Sequence, residues 1–144
     1  MFVVDAFIGN WNRHNGNWGF LYNQGKDAMR IAPIFDCGSA LFPQIDDDLI
    51  KKVISSKAEM NARIYDMPTS AIVVDGKRGN YYKMITSLEY YGCNEAIKRI
   101  VPRIDLDKIN ALIESVEIAS DLQKEFLKVI LKMRKEKILD VAYK

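Results

Sequence analysis

One run near the front of the chain permits very little regular structure: Gly9-Asn10-Trp11-Asn12-Arg13-His14-Asn15-Gly16-Asn17-Trp18-Gly19-Phe20. It has no apolar period of about 2 or 3.6 residues and is crowded with turn formers, so Asn10 to Asn17 is expected to be an ordered loop. Before it, Phe2, Val3, Ala6, Phe7 and Ile8 fall on one face of a short helix. After it come the aromatic stretch Trp18-Gly19-Phe20-Leu21-Tyr22, the turn formers Asn23-Gln24-Gly25-Lys26-Asp27, and Met29-Arg30-Ile31-Ala32-Pro33-Ile34. These read as two short strands joined in a hairpin.

From residue 46 the pattern turns helical. Asp46-Asp47-Asp48 sits where a helix N-terminus favours acidic side chains, and Leu49, Ile50, Val53 and Ile54 follow at helical spacing. Ala71 to Val74 is ambiguous between a helix end and a short strand. Tyr81 to Tyr91 reads as one helix ended by Gly92, and Asn94 to Val101 as another stopped by Pro102. Asp105 to Val116 places Leu106, Ile109, Leu112, Ile113 and Val116 on one stripe. The last helix starts at Ser120, where Ser120 and Gln123 fit a capping box. The fold class expected is mainly α with one small β-hairpin near the N-terminus, as one domain over 1–144. Residues 1–45 form its loop-and-hairpin segment and 46–144 its helical bundle.

Composition narrows the function classes. Twenty-one Lys and Arg against nineteen Asp and Glu leave a formal charge of +2, too small a field to expect nucleic acid as a partner. The run Lys132, Arg134, Lys135 and Lys137, interrupted by Glu136, reads as a solvated helix face. No stretch reaches the roughly 18 apolar residues of a membrane span, and the N-terminus lacks a signal-peptide pattern, so a cytoplasmic protein with no membrane partner is expected. Cys37 and Cys93 stand apart, as two reduced thiols would.

The residues with chemistry in them are concentrated between Asn10 and Gln44. Phosphoryl transfer from Mg-ATP needs a base that positions the acceptor, an Asn oxygen on the metal, and an Asp carboxylate joining metal to phosphate. Protein kinases carry the first two five residues apart on one loop and the Asp after a following strand. Positions 12 and 17 have that separation, and Asp36 follows the hairpin; spacing of this kind alone is weakly specific.

The wording is more specific. Phe7-Ile8-Gly9-Asn10-Trp11-Asn12-Arg13-His14-Asn15-Gly16-Asn17-Trp18-Gly19-Phe20-Leu21 resembles the catalytic loop of the HipA-like serine/threonine kinases, whose pattern is G-N-x-D-R-H-x-x-N-x-x-F. Ala32-Pro33-Ile34-Phe35-Asp36-Cys37-Gly38-Ser39 is similar to their metal-binding segment, A-P-x-(Y/F)-D-x-x-S. The resemblance covers about the first 45 residues. It implies a helical C-terminal kinase lobe in which Asn12 stands at the general-base position and Asn17 and Asp36 hold Mg2+ for ATP. Asn10, Arg13 and His14 brace the loop.

Two departures accompany the match. Asn12 stands where the family has its catalytic Asp, and a carboxamide cannot take up a hydroxyl proton; loss of a general base costs about 10²–10⁴-fold in rate. Met1 falls within the helix ahead of the loop, and no GxGxxG or P-loop pattern occurs. The ATP-gripping N-terminal lobe is therefore expected on another chain, with this one inactive alone. The partners implied are that separate lobe, another protein, or a second copy in a homodimer. The rival expectation is a non-enzymatic interaction module, either a pseudokinase fragment or a binder of a toxin–antitoxin-type partner.

Overall fold

The computed structural model describes residues 1–143. It is 58% helix and 8% strand, so helices supply the core and strands serve to present the front segment. Helix α1 (Phe2–Ile8) turns Val3, Ala6 and Phe7 inward. It stops at Gly9, whose φ of 66° gives the left-handed end that glycine adopts without strain. A side chain there would also meet the Pro68 ring at 3.4 Å. The chain then enters the Asn10–Asn17 loop, which closes on a single 3₁₀ turn, Asn15–Asn17.

Strands β1 (Phe20–Asn23) and β2 (Ala28–Ile31) pair antiparallel, with Leu21 opposite Arg30 and Tyr22 opposite Met29. Both are shorter than the sequence suggests. One further bond, Ala32 N–H to Gly19 O at 2.8 Å, extends the pairing, and Pro33, lacking an N–H, adds nothing beyond it. A second, smaller hairpin joins the expected one and settles the ambiguous Ala71–Val74 segment. Strand β3 (Val73–Val74) pairs with β4 (Lys77–Arg78) across Asp75 and Gly76, both at positive φ as an Asp-Gly turn requires.

The helices follow their caps. Asp46 accepts from Leu49 N at 2.8 Å to start α2 (Asp47–Ser55). A separate α3 (Lys57–Asn61), continued by a wide π-type turn over Ala62–Asp66, follows at once. The helix expected over Tyr81–Tyr91 stops early, as α4 (Tyr81–Thr86), and the one expected from Asn94 starts early, as α5 (Tyr91–Ile100). The break has a local cause. Ser87 Oγ donates to Met84 O and accepts from Glu89 N, replacing helical bonds, while Leu88 turns to a φ of 59°. Gly92 lies inside the first turn of α5 instead of ending a helix. Asp105 caps α6 (Leu106–Glu114). Ser120 and Gln123 form the expected capping box on α7 (Asp121–Arg134), and the Ser120 hydroxyl also reaches Asp47 at 3.0 Å. A second wide turn, Lys135–Leu139, leads into α8 (Asp140–Tyr143).

One apolar cluster runs from Val3 and Ala6 through Ile50, Val53, Ile64, Ile85, Ile97, Phe126 and Ile130 to Ile138 and Leu139. Two sequence expectations are corrected here. Leu112, placed on the inner stripe of α6, is 68% exposed, because α6 packs on α7 with Ile113, one residue on, as its buried contact. Arg134, read with the solvated basic run, is 1% exposed. Its Nε donates to Ala6 O at 2.8 Å and its Nη1 to Arg63 O at 2.7 Å and Met67 O at 3.3 Å. Burial pulls its pKa down to about 10, which leaves it charged at neutral pH. In urea denaturation Phe126→Ala should lose about 3–5 kcal/mol of stability, whereas Leu112→Ala should change it by less than about 0.5 kcal/mol.

Candidate active site

The site is built on a carboxylate that α1 turns into the protein. Asp5 is 2% exposed, and a buried carboxylate must be paired. Asp5 Oδ1 accepts from Asn10 Nδ2 at 3.0 Å and Arg13 Nη2 at 3.0 Å, and Oδ2 from Arg13 Nε at 3.1 Å. This two-pronged contact holds the Arg13 guanidinium well above its ordinary pKa. The remaining donor, Arg13 Nη1, reaches Asn17 O at 2.7 Å and Phe35 O at 2.6 Å. Arg13 Nη2 also lies 3.4 Å from Cys37 Sγ. One guanidinium therefore fastens the loop to the segment around Asp36, although 22 residues separate Arg13 from Phe35.

Within the loop the asparagines fix one another. Asn10 Oδ1 accepts from Asn12 N at 3.1 Å, and Asn17 Nδ2 donates to Asn12 O at 2.8 Å. The backbone of Asn12 is thus held at both ends while its half-buried side chain makes no hydrogen bond among the described residues. His14 is exposed, and its Nδ1 accepts from Gly16 N at 3.0 Å, capping the Asn15–Asn17 turn. The Tyr81 hydroxyl donates to Asn10 O from the helical side, and burial pushes its pKa up to about 12.

Asn17 is buried and Asp36 exposed. With its Nδ2 engaged on Asn12 O, Asn17 keeps its Oδ1 as an acceptor. The Asp36 carboxylate takes part in no ion pair among the described residues, and its φ of 52° is in a left-handed region that Asp tolerates better than most residues. The structure joins Asn12 to Asn17 directly and ties Asn17 to the neighbour of Asp36 through Arg13. Among the described residues no three His, Cys, Asp or Glu side chains converge to form a metal cage. Two oxygen donors from an Asn and an Asp suit Mg2+, which keeps several waters and takes other ligands from phosphate. Sequence reasoning missed Asp5 altogether and gave no sign that Tyr81 reaches the loop. A lone carboxylate among Phe2, Val3, Ala6 and Phe7 was the available signal for Asp5.

No family model matches the chain. Over 144 residues it is 49% identical to the serine/threonine-protein kinase CtkA of Helicobacter pylori (strain J99), covering 99% of this chain and 44% of that protein. The chain is related to a protein kinase. Its fold also matches the crystal structure of a Helicobacter pylori proinflammatory kinase CtkA, with a TM-score of 0.94 and 49% identity over 99% of this chain and 52% of that one. The chain thus spans about half the length of the relatives it matches.

Two outcomes follow from this geometry. Asp5→Asn leaves the buried Arg13 charge unpaired and should cost about 3–5 kcal/mol in urea denaturation. For Tyr81, an unfolded phenol ionises near pH 10.0 while the folded one keeps its proton to about 12. The stability it contributes is complete below pH 10.0 and falls as pH rises towards about 12. Tyr81→Phe should flatten that slope in alkaline denaturation curves.

Proposed function

We propose that this chain is the C-terminal lobe of a HipA-like serine/threonine kinase, carrying the metal-nucleotide half of a phosphoryl-transfer site. The observation that carries the reading is the Arg13 bridge, which gathers Asn12, Asn17 and the Asp36 segment at one place. In this reading Asn17 Oδ1 and the Asp36 carboxylate hold Mg2+. When bound, the ion would supply charge neutralisation for the phosphates of ATP. Asn12 orients the acceptor hydroxyl but does not accept its proton, so the chain alone is inactive or nearly so. Arg13 touches no reacting atom. It is a positioning residue that keeps the two metal-holding segments in register.

A second reading, a non-enzymatic interaction module, is favoured by the front hairpin. Phe20, Leu21, Tyr22, Met29 and Ile31 are all exposed, and Ile34 and Phe35 just beyond are 50% and 45% exposed. Contiguous apolar surface of this kind marks an interaction site. The kinase reading accounts for it as the surface under a nucleotide and an N-terminal lobe. The interaction-module reading assigns it to another protein or a second copy.

Intrinsic fluorescence separates them, since Trp11 and Trp18 flank the loop. Titration with ATP should give a saturable change that requires Mg2+ and disappears in Asp36→Ala. A response that is flat, or unchanged in Asp36→Ala, rejects the metal-nucleotide reading and leaves the interaction module.

A further inference from the structure

A groove of about 510 Å³ opens beside the loop, on residues that the metal-nucleotide reading leaves unused. Its volume falls within the roughly 300–1,000 Å³ of ligand sites. Trp11 forms one wall, next in the chain to Asn12, and Phe42, Ile45, Leu49 and Met67 are among the apolar side chains that line the rest. Its polar edge is of one sign. Arg63 and Arg78 line it and no Asp or Glu does.

The two arginines differ in a useful way. Arg63 is largely buried and is already paired with Glu59 at 3.3 Å. Arg78, on β4, is exposed, and its guanidinium makes no hydrogen bond or ion pair among the described residues. The groove therefore presents an unmatched cation next to apolar walls.

The backbone at Phe42, which lines the groove, and at its neighbour Leu41 is also strained. Leu41 and Phe42 take φ values of 60° and 53°, consecutive left-handed conformations that non-glycine residues adopt only where the surroundings impose them. Leu41 N–H is held by Ile8 O at 2.8 Å, and the Phe42 ring packs edge-on against Phe126 at 5.7 Å. Core packing thus fixes the shape of the groove before anything enters it, which lowers the entropy cost of binding.

We propose that this groove receives an extended peptide bearing an apolar side chain and an acidic residue close to a serine or threonine. The apolar side chain lies against Trp11, Phe42 and Leu49, and the carboxylate meets Arg78. Trp11 precedes Asn12 in the chain, so a peptide in the groove lies beside the loop that carries position 12; the inference rests on the kinase reading and adds a substrate class to it.

The test uses equilibrium binding to this chain, without nucleotide. Two fluorescently labelled peptides, each with a central Ser and a Leu on one side, differ only in carrying Glu or Lys on the other. Anisotropy should show the Glu peptide binding about tenfold more tightly, as one favourable charge contact in a partly enclosed groove allows. Arg78→Glu, a surface change that leaves the core intact, should reverse the preference. Equal binding of the two peptides, no binding of either, or an unchanged preference in Arg78→Glu overturns the proposal, as does tighter binding of a labelled oligonucleotide. Mg-ATP titration of the same chain is read independently. A normal nucleotide response without peptide preference defeats the groove alone, and a flat nucleotide response with peptide preference defeats the kinase reading alone.

Discussion

The front of the molecule depends on the buried ion pair between Asp5 and Arg13. Neither the loop nor the segment around Asp36 has a core of its own, and the hairpin between them shows all eight of its strand residues to solvent. Apolar burial therefore cannot order this region, and directed polar contacts must. Asp5 holds one edge of the guanidinium and fixes its plane, so that Nη1 can serve Asn17 O and Phe35 O together. Lysine, with a single nitrogen, could not reproduce that geometry. A buried pair of this kind adds little net stability compared with apolar side chains of equal volume. What it adds is a defined arrangement of two segments remote in sequence.

The helical body reaches the same region by a second route. Arg134 crosses from the end of α7 to Ala6 O, one residue beyond Asp5 on α1, and Tyr81 reaches Asn10 O from α4. Both contacts end on backbone carbonyls, so they set the position of α1 and of the loop entry whatever side chains those residues carry. Arg134 meets its three carbonyls without a carboxylate partner, and its Nη2 makes no hydrogen bond among the described residues. A cation buried in that way lowers stability by itself. It sits where α1 and the chain at Arg63 and Met67 meet, the place at which the helices carry the loop.

Much of this fold was legible in the sequence wherever the signal was local. The α1 stripe, the turn chemistry of the front hairpin, the acidic start of α2 at Asp46–Asp48 and the Ser120–Gln123 capping box depend on neighbours within a few residues. The long loop was legible for the opposite reason, because nothing regular could form there. What was not legible depends on partners far along the chain. The basic run gave no hint that Arg134 alone turns inward, since its carbonyl partners lie 128, 71 and 67 residues away. Leu112 and Ile113 are equally apolar, and only the docking of α6 on α7 decides between them. In the site, the asparagines and Asp36 stood out by motif, while the geometry connecting them came through Asp5, a residue outside the motif.

The front hairpin is joined to the rest through its base. Its two strands pair from Phe20 with Ile31 to Asn23 with Ala28 and carry no buried residue on either face, and a free two-stranded hairpin is only marginally stable in water. Its order comes from the Arg13 bridge at the base and from whatever covers it. In the free chain the backbone amides of β1 and β2 therefore belong to a separate opening unit, exchanging their hydrogens with solvent well ahead of those in α7. A partner seated on the hairpin would then be recorded as slowed exchange in a region that its own folding leaves unprotected.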